Sequence, residues 1–229
     1  MSIIKKRILS KNFIEMYKDI FEDPVVQVCF DNNAWIGGGF ARKIGLIYNR
    51  IDNNLKEISS QPIESVIHYF HNESGDIDMF VNSQETIDSI ANDLGLVKEI
   101  GKKNYSFSIN FNSLDKIYYK SPFALNFSKN VDLFSFQSTR NLKHFIVQVV
   151  NKFMFKSIRE CFDSFDIYNC MYAITREDNQ YILHYDERAV ESDTNKVIDI
   201  NHIDSPYLGN RLVKYIKYKG LKLRETKDN

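Results

Sequence analysis

Two aspartates one residue apart, in Ser74-Gly75-Asp76-Ile77-Asp78-Met79-Phe80, are the strongest chemical signal in this 229-residue chain. On a β-strand alternate side chains share a face, which sets Asp76 and Asp78 side by side, about 7 Å apart along the chain. Ile77 and Met79 then point the other way. Neighbouring carboxylates beside a core strand repel each other unless a cation lies between them, and a hard divalent ion with oxygen ligands, Mg²⁺ or Mn²⁺, suits that arrangement. The plainer alternative is a solvated edge strand with outward charges. The apolar residues at 77, 79, 80 and 81 argue against it.

Gly37-Gly38-Gly39 holds three of the nine glycines and follows Trp35-Ile36. Placed between a strand and a helix, such a run lets backbone approach a bulky anion, and the N–H groups of the helix start point at it. A tight turn with no ligand is the competing reading. Arg42 and Lys43 sit one turn into the following helix, where they could reach a triphosphate or simply face water. A two-metal site, with ions roughly 3.5–4 Å apart, needs one more carboxylate. Two expected strands offer one, Phe165-Asp166-Ile167 and Val131-Asp132-Leu133.

Near the C-terminus, Arg211, Lys214, Lys217 and Lys219 give one helix a basic character, with Tyr215 and Tyr218 interleaved. Such a helix could hold phosphates or an acceptor strand, or pack its tyrosines inward. The five histidines show no ligand spacing and read as structural. Gln148 lies on an alternating strand, reading a base or satisfying backbone. The chain has no G-x-x-x-x-G-K-[ST], no G-x-S-x-G and no Cys/His zinc set, so P-loop, α/β-hydrolase and zinc-hydrolase chemistry have no support.

The elements that must position these groups follow from periodicity. A first helix is predicted from about Asn12 to Glu22, capped by Ser10 and ended by Pro24. A buried strand is expected at Val25–Phe30, then helices at Ala41 to about Ile58 and Ile63 to about Phe70. Asp76–Val81 reads as a strand, and Gln84–Leu94 as a helix capped by Ser83 and closed at Gly95. Strands follow at Tyr105–Phe111, Ala124–Phe127, Val131–Phe136 and Phe145–Val150. A short helix near Ser157–Phe162 precedes a strand at Phe165–Ile174, and the last helix opens at Pro206 and closes at Gly220. This order describes an α+β domain, a mixed sheet with helices on one face and a small helical C-terminal part.

Bulk properties narrow the classes. At 43% hydrophobic residues a core is assured, and Lys+Arg and Asp+Glu of 30 each argue against a generic polyanion binder. The three cysteines, Cys29, Cys161 and Cys170, lie in apolar runs and are expected as buried free thiols in a reducing, cytoplasmic setting. No apolar stretch is long enough to span a membrane.

Glycine turn, helix, Asp-x-Asp strand and a later strand with one Asp together resemble the nucleotidyltransferase superfamily of DNA polymerase β. Within it the chain is similar to the small nucleotidyltransferase-like proteins of bacteriophages and large DNA viruses. The likeness continues through Ala124-x-Asn126, Val147-Gln148, Phe165-Asp166-Ile167 with Cys170, and Arg211-Leu212-x-Lys214-Tyr215 to Lys219-Gly220. The resemblance implies the nucleotidyltransferase fold, with Gly38 and Gly39 on the nucleotide phosphates and Asp76 and Asp78 holding Mg²⁺ or Mn²⁺. It favours Asp166 over Asp132 as third ligand and activator of the acceptor hydroxyl. It further implies a core over residues 1–175, with a helical insertion at about 41–72, and an extension over 176–229. The long interval from Gly38 to Asp76 and the third glycine, where many members carry serine, depart from the pattern. The implied activity is transfer of a nucleoside monophosphate from an NTP to an RNA, small-molecule or protein hydroxyl, in the host cytoplasm if the protein is viral. A toxin-like transferase acting on tRNA or protein and a silent nucleotide- or nucleic-acid-binding subunit are the alternatives.

Overall fold

The computed structural model describes residues 3–53, 76–94, 116–120, 124–131 and 143–224. Strand β3 (Asp76–Val81) lies inside an eight-stranded mixed sheet. On one side its neighbours are β2 (Trp35–Gly37), β7 (Tyr172–Glu177), β8 (Gln180–Asp186) and the edge strand β1 (Ile4–Ile8). On the other they are β6 (Lys143–Met154), β5 (Ala124–Val131) and β4 (Lys116–Lys120). The β3–β6 pair is parallel, and the other described pairings of this sheet are antiparallel.

Register divides the sheet into two faces. Val149, Met79, Ile36, Ile174 and Leu183 stand level across five strands, and all five are fully buried. Each such aliphatic side chain contributes roughly 1.5–3 kcal/mol on burial. The adjoining row, Gln148, Asp78, Gly37, Ala173 and His184, belongs to the opposite face because successive strand residues alternate. Helix α4 (Gly38–Asn53) covers the apolar side so closely that a Cβ at Gly45 would fall 2.6 Å from the Tyr172 ring.

Helix starts follow their caps. The Ser10 hydroxyl accepts from Phe13 N to open α1 (Lys11–Met16), after which a break at Tyr17 leads into α2 (Lys18–Phe21). The strand expected at Val25–Phe30 is instead helix α3 (Pro24–Asp31). Asp23 caps it by accepting from Val25 N and Val26 N, and Pro24 takes the first turn, where a missing N–H costs nothing. Val25, Val26, Cys29 and Phe30 all face the core at helical spacing, which a six-residue apolar run does not distinguish from a buried strand. Ser83 caps α5 (Gln84–Asp93), as read from sequence, and Ser157 caps α6 (Ile158–Asp163), the short helix expected there.

The expected Phe165–Ile174 strand resolves into an extended approach, a 3₁₀ turn at Tyr168–Cys170 and the start of β7. The division at residue 175 therefore falls inside β7, whose hairpin partner β8 belongs to the same sheet. The chain after that point continues into β8 of the main sheet. Beyond it come α7 (Glu187–Thr194), a small parallel pair of β9 (Val197–Ile198) and β10 (Lys222–Leu223), and α8 (Leu208–Lys219). Gly220 closes α8 in the left-handed conformation at φ 65°. A separate apolar cluster of Ile167, Cys170, Ile198, Leu208, Tyr215 and Leu221 fastens α8 to the 3₁₀ turn.

β3 and β6 lose register beyond Met79. Between the pairs Met79/Val149 and Val81/Met154, one residue of β3 faces four of β6. The ladder resumes where Phe155 N donates to Val81 O. The expected helix at 63–70, strand at 105–111, closing Gly95 and Asp132 with its strand at 132–136 lie outside the described residues.

Candidate active site

Asp78, Gly37 and Gln148 stand level on adjacent strands, and Asn126 of β5 continues the line. Asp76 opens β3, two residues before Asp78. At the end of β2 the chain turns through Gly38, at φ 69°, directly into α4. That φ excludes most side chains. A Cβ there would also lie 3.8 Å from Asp78 Oδ2, so the glycine brings the helix N-terminus up to the carboxylate. The start of α4 and the positive end of its helix dipole thus lie beside the Asp-x-Asp strand.

A cleft of about 430 Å³ forms in front of this row. Gly38, Gly39, Asp78 and Gln148 make its floor, and α8 closes the opposite wall with Asn210, Arg211, Lys214, Tyr215 and Lys219. One wall therefore carries helix-terminal N–H groups and the other three cations, a pairing suited to a polyphosphate. A second cleft of about 330 Å³ shares Asp78, Phe80, Phe165, Tyr207 and Arg211 with the first. It adds Asp166, Ser205 and the aromatic residues Phe153 and Phe155.

Arg42 and Lys43 do not line either cleft. Both are buried, Lys43 completely. Arg42 grips Asp193 of α7 with Nε at 3.0 and 3.1 Å and Nη2 at 2.8 Å. The same carboxylate accepts from Asn169 Nδ2 at 2.7 Å and Tyr172 OH at 3.0 Å. Burial works against the Arg42 charge, but Tyr215 and Asp193 outweigh it and hold its pKa above the ordinary arginine value. A side chain one turn past the glycines was expected on the triphosphate; α4 packs that face inward, so Arg42 anchors the helix instead.

Asp166 also differs from expectation. It does not lie on a strand beside β3 but on the approach to the 3₁₀ turn, 3% exposed, with Oδ1 2.8 Å from Arg211 Nε. The contact is an ion pair by distance, with Nε–H directed off the hydrogen-bond line. Ser205 Oγ donates to Asp166 Oδ2 at 3.5 Å. Among the described residues no three His, Cys, Asp or Glu side chains gather as a metal site. The strand position level with Asp78 on β6 carries the neutral Gln148. The Asp78 carboxylate beside the Gln148 position offers hard oxygen donors, the kind a divalent cation takes.

Tyr215 is buried and paired, its hydroxyl 3.2 Å from Cys170 Sγ and its ring flanked by Arg42 and Lys219. Burial and the neighbouring Cys170 hold its phenol well above the usual range, so it remains protonated. All three cysteines are buried free thiols. His184 is structural: it shares a 2.8 Å hydrogen bond with Thr175 Oγ1, and burial lowers its pKa to about 4. The exposed rings of Phe153 and Tyr207 escaped the sequence reading. Phe153 lies in the irregular stretch of β6, where strand periodicity does not apply.

The model of the Gabija anti-defense 2 (Gad2) family protein matches residues 7–196, most of the chain. The chain belongs to the Gabija anti-defense 2 family. This family match spans β2, α4, β3, β6 and Asp166, and stops short of the cationic wall on α8. No curated protein matches the Gabija anti-defense 2 chain in sequence. Among solved structures it is similar to a CCA-adding enzyme in complex with ATP, at 13% identity and a TM-score of 0.48. That alignment covers 96% of this chain and 43% of the enzyme's, so the chain spans less than half the length of that neighbour. No helix among the described residues is long and apolar enough to cross a membrane.

Proposed function

We propose that this Gabija anti-defense 2 chain is a nucleotidyltransferase, moving a nucleoside monophosphate from an NTP to a hydroxyl with release of pyrophosphate. The observation that carries the reading is the meeting of Gly38, Gly39 and Asp78 in one cleft, faced by Arg211, Lys214 and Lys219. The N–H groups at the start of α4 would receive the β- and γ-phosphate oxygens, and the three cations would balance the triphosphate charge. Asp76 and Asp78 would hold Mg²⁺ or Mn²⁺, with Gln148 level with Asp78 on the neighbouring strand. A divalent cation bound there would neutralise charge on the leaving pyrophosphate and lower the pKa of the acceptor hydroxyl. The protein's own share is to fix the triphosphate between helix terminus and α8 and to aim it along the sheet.

The family's name, an anti-defence against Gabija, fits a transferase whose acceptor belongs to a rival system, with RNA and protein hydroxyls as the candidate classes. One observation favours a nucleotide-binding protein without turnover instead: Asp166 is committed to Arg211, and Gln148 fills the level strand position.

Incubation with each α-³²P-labelled NTP, Mg²⁺ or Mn²⁺ and mixed RNA and protein acceptors separates the two. Transfer by the wild type, lost in Asp76→Ala/Asp78→Ala, is the expected outcome. Nucleotide binding with no transfer or hydrolysis of any NTP would select the silent reading.

A further inference from the structure

The second cleft differs in character from the first, and the difference points to what enters it. Its walls are rings: Phe80 and Phe165 at a centroid separation of 6.1 Å, Phe80 and Phe155 at 5.9 Å, and Phe153 and Phe155 nearly parallel at 6.4 Å. Tyr207, half exposed, and Phe153, 44% exposed, stand at its edge. It shares Asp78 with the first cleft, so a group seated among the rings meets the carboxylate end of the site. In an in-line displacement the attacking and leaving oxygens lie on opposite sides of the reacting phosphorus. The first cleft, with its helix terminus and lysines, suits the departing pyrophosphate. The ring-lined cleft then lies on the side of the attacking hydroxyl.

Its charge narrows the acceptor further. Single-stranded nucleic acid is held by a cationic groove that follows the backbone, with rings stacking on the bases. Here the described lining includes the carboxylates Asp78 and Asp166, and Arg211 among it is paired with Asp166. An uncharged aromatic ring bearing its own hydroxyl fits this lining better than a polyanionic strand end. A cleft of about 330 Å³ lies at the small end of ligand sites and suits one ring.

We propose that the ring-lined cleft is an acceptor subsite for a tyrosine side chain of a partner protein. The inference rests on the nucleotidyl-transfer reading. In the step, the tyrosine phenolic oxygen forms a bond to the α-phosphorus of the NTP as the bond from that phosphorus to the β-phosphate bridging oxygen breaks. Pyrophosphate leaves, and the phenolic proton passes to solvent. Aromatic contacts from Phe153, Phe155 and Tyr207 orient the ring, with offset or edge-on geometry preferred over a face-to-face sandwich.

Equilibrium titration tests the subsite separately from turnover, using N-acetyl-tyrosinamide, a tyrosine hexapeptide and hexa-adenylate RNA as probes. The tyrosine probes should bind the wild type, with about tenfold weaker binding in Phe153→Ala and near-wild-type binding in Phe153→Tyr. Phe153→Leu, which retains apolar bulk, should also weaken binding, separating ring contacts from folding. In the transfer assay the hexapeptide should be labelled on tyrosine, with Phe153→Ala raising its KM for the peptide. Tyrosine binding that is absent, or indifferent to Phe153 and Tyr207 substitution, overturns the proposal, as does labelling of RNA ends with the peptide unlabelled. Loss of all NTP turnover with Phe153-dependent tyrosine binding intact would overturn the transferase reading and leave the subsite standing.

Discussion

Two arginine–aspartate pairs flank the cleft, and they are built for different work. Arg42 and Asp193 are both buried, joined by a two-pronged contact, with Asn169 and Tyr172 completing the carboxylate's hydrogen bonds. Arg211 meets Asp166 through one nitrogen, keeps 36% of its side chain exposed, and donates to Cys170 Sγ through Nη1 at 3.3 Å. The first pair locks α4 and α7 to the 3₁₀ turn. The second leaves a partly exposed cation in the lining of both clefts. Burial and saturation of partners, more than charge, separate an anchoring arginine from one left at the edge of a cleft.

The largest effect expected from breaking this contrast is in Arg42→Ala. It leaves the Asp193 carboxylate buried without its counter-charge and should cost about 3–5 kcal/mol of stability, read as a lowered denaturant midpoint. A loss below about 1 kcal/mol would show that the pair is not the anchor. Arg211→Lys keeps the charge but loses the planar fork. It should change stability by less than about 1 kcal/mol and weaken NTP binding roughly fivefold to tenfold, measured by titration. The smallest effect sharpens the comparison. Raising salt from about 0.1 to 1 M shortens the screening length from about 10 to 3 Å. Double-mutant cycles at the two salts should leave the Arg42–Asp193 coupling nearly unchanged and shrink the Arg211–Asp166 coupling towards zero.

The sequence carried the Asp-x-Asp strand, the glycine turn and the caps at Ser10 and Ser83, because each is a local pattern with a local cause. It misread Val25–Phe30, where a short apolar run fits strand and helix equally and the deciding cap, Asp23, acts from outside the run. Arg42 was legible as a cation one turn past the glycines, but its direction depends on Asp193, 151 residues away in sequence. Asp166 was singled out as an acid between apolar neighbours, yet its partner Arg211 and its setting by the 3₁₀ turn are tertiary facts. Phe153 gave no signal, since its placement follows from a departure from strand register.

That departure has a consequence for how the site can change. Gln148 lies on β6 before the irregular stretch and Phe153 within it, while Val147 to Val149 remain paired with β3. The slack between amide and ring works as an adjustable spacer. A residue gained or lost there would move the ring by about one strand step, 3.3 Å, without disturbing a carboxylate or the glycine turn. The ring-lined cleft could then be reshaped by length alone, with the row of Gly37, Asp78 and Gln148 left as it stands.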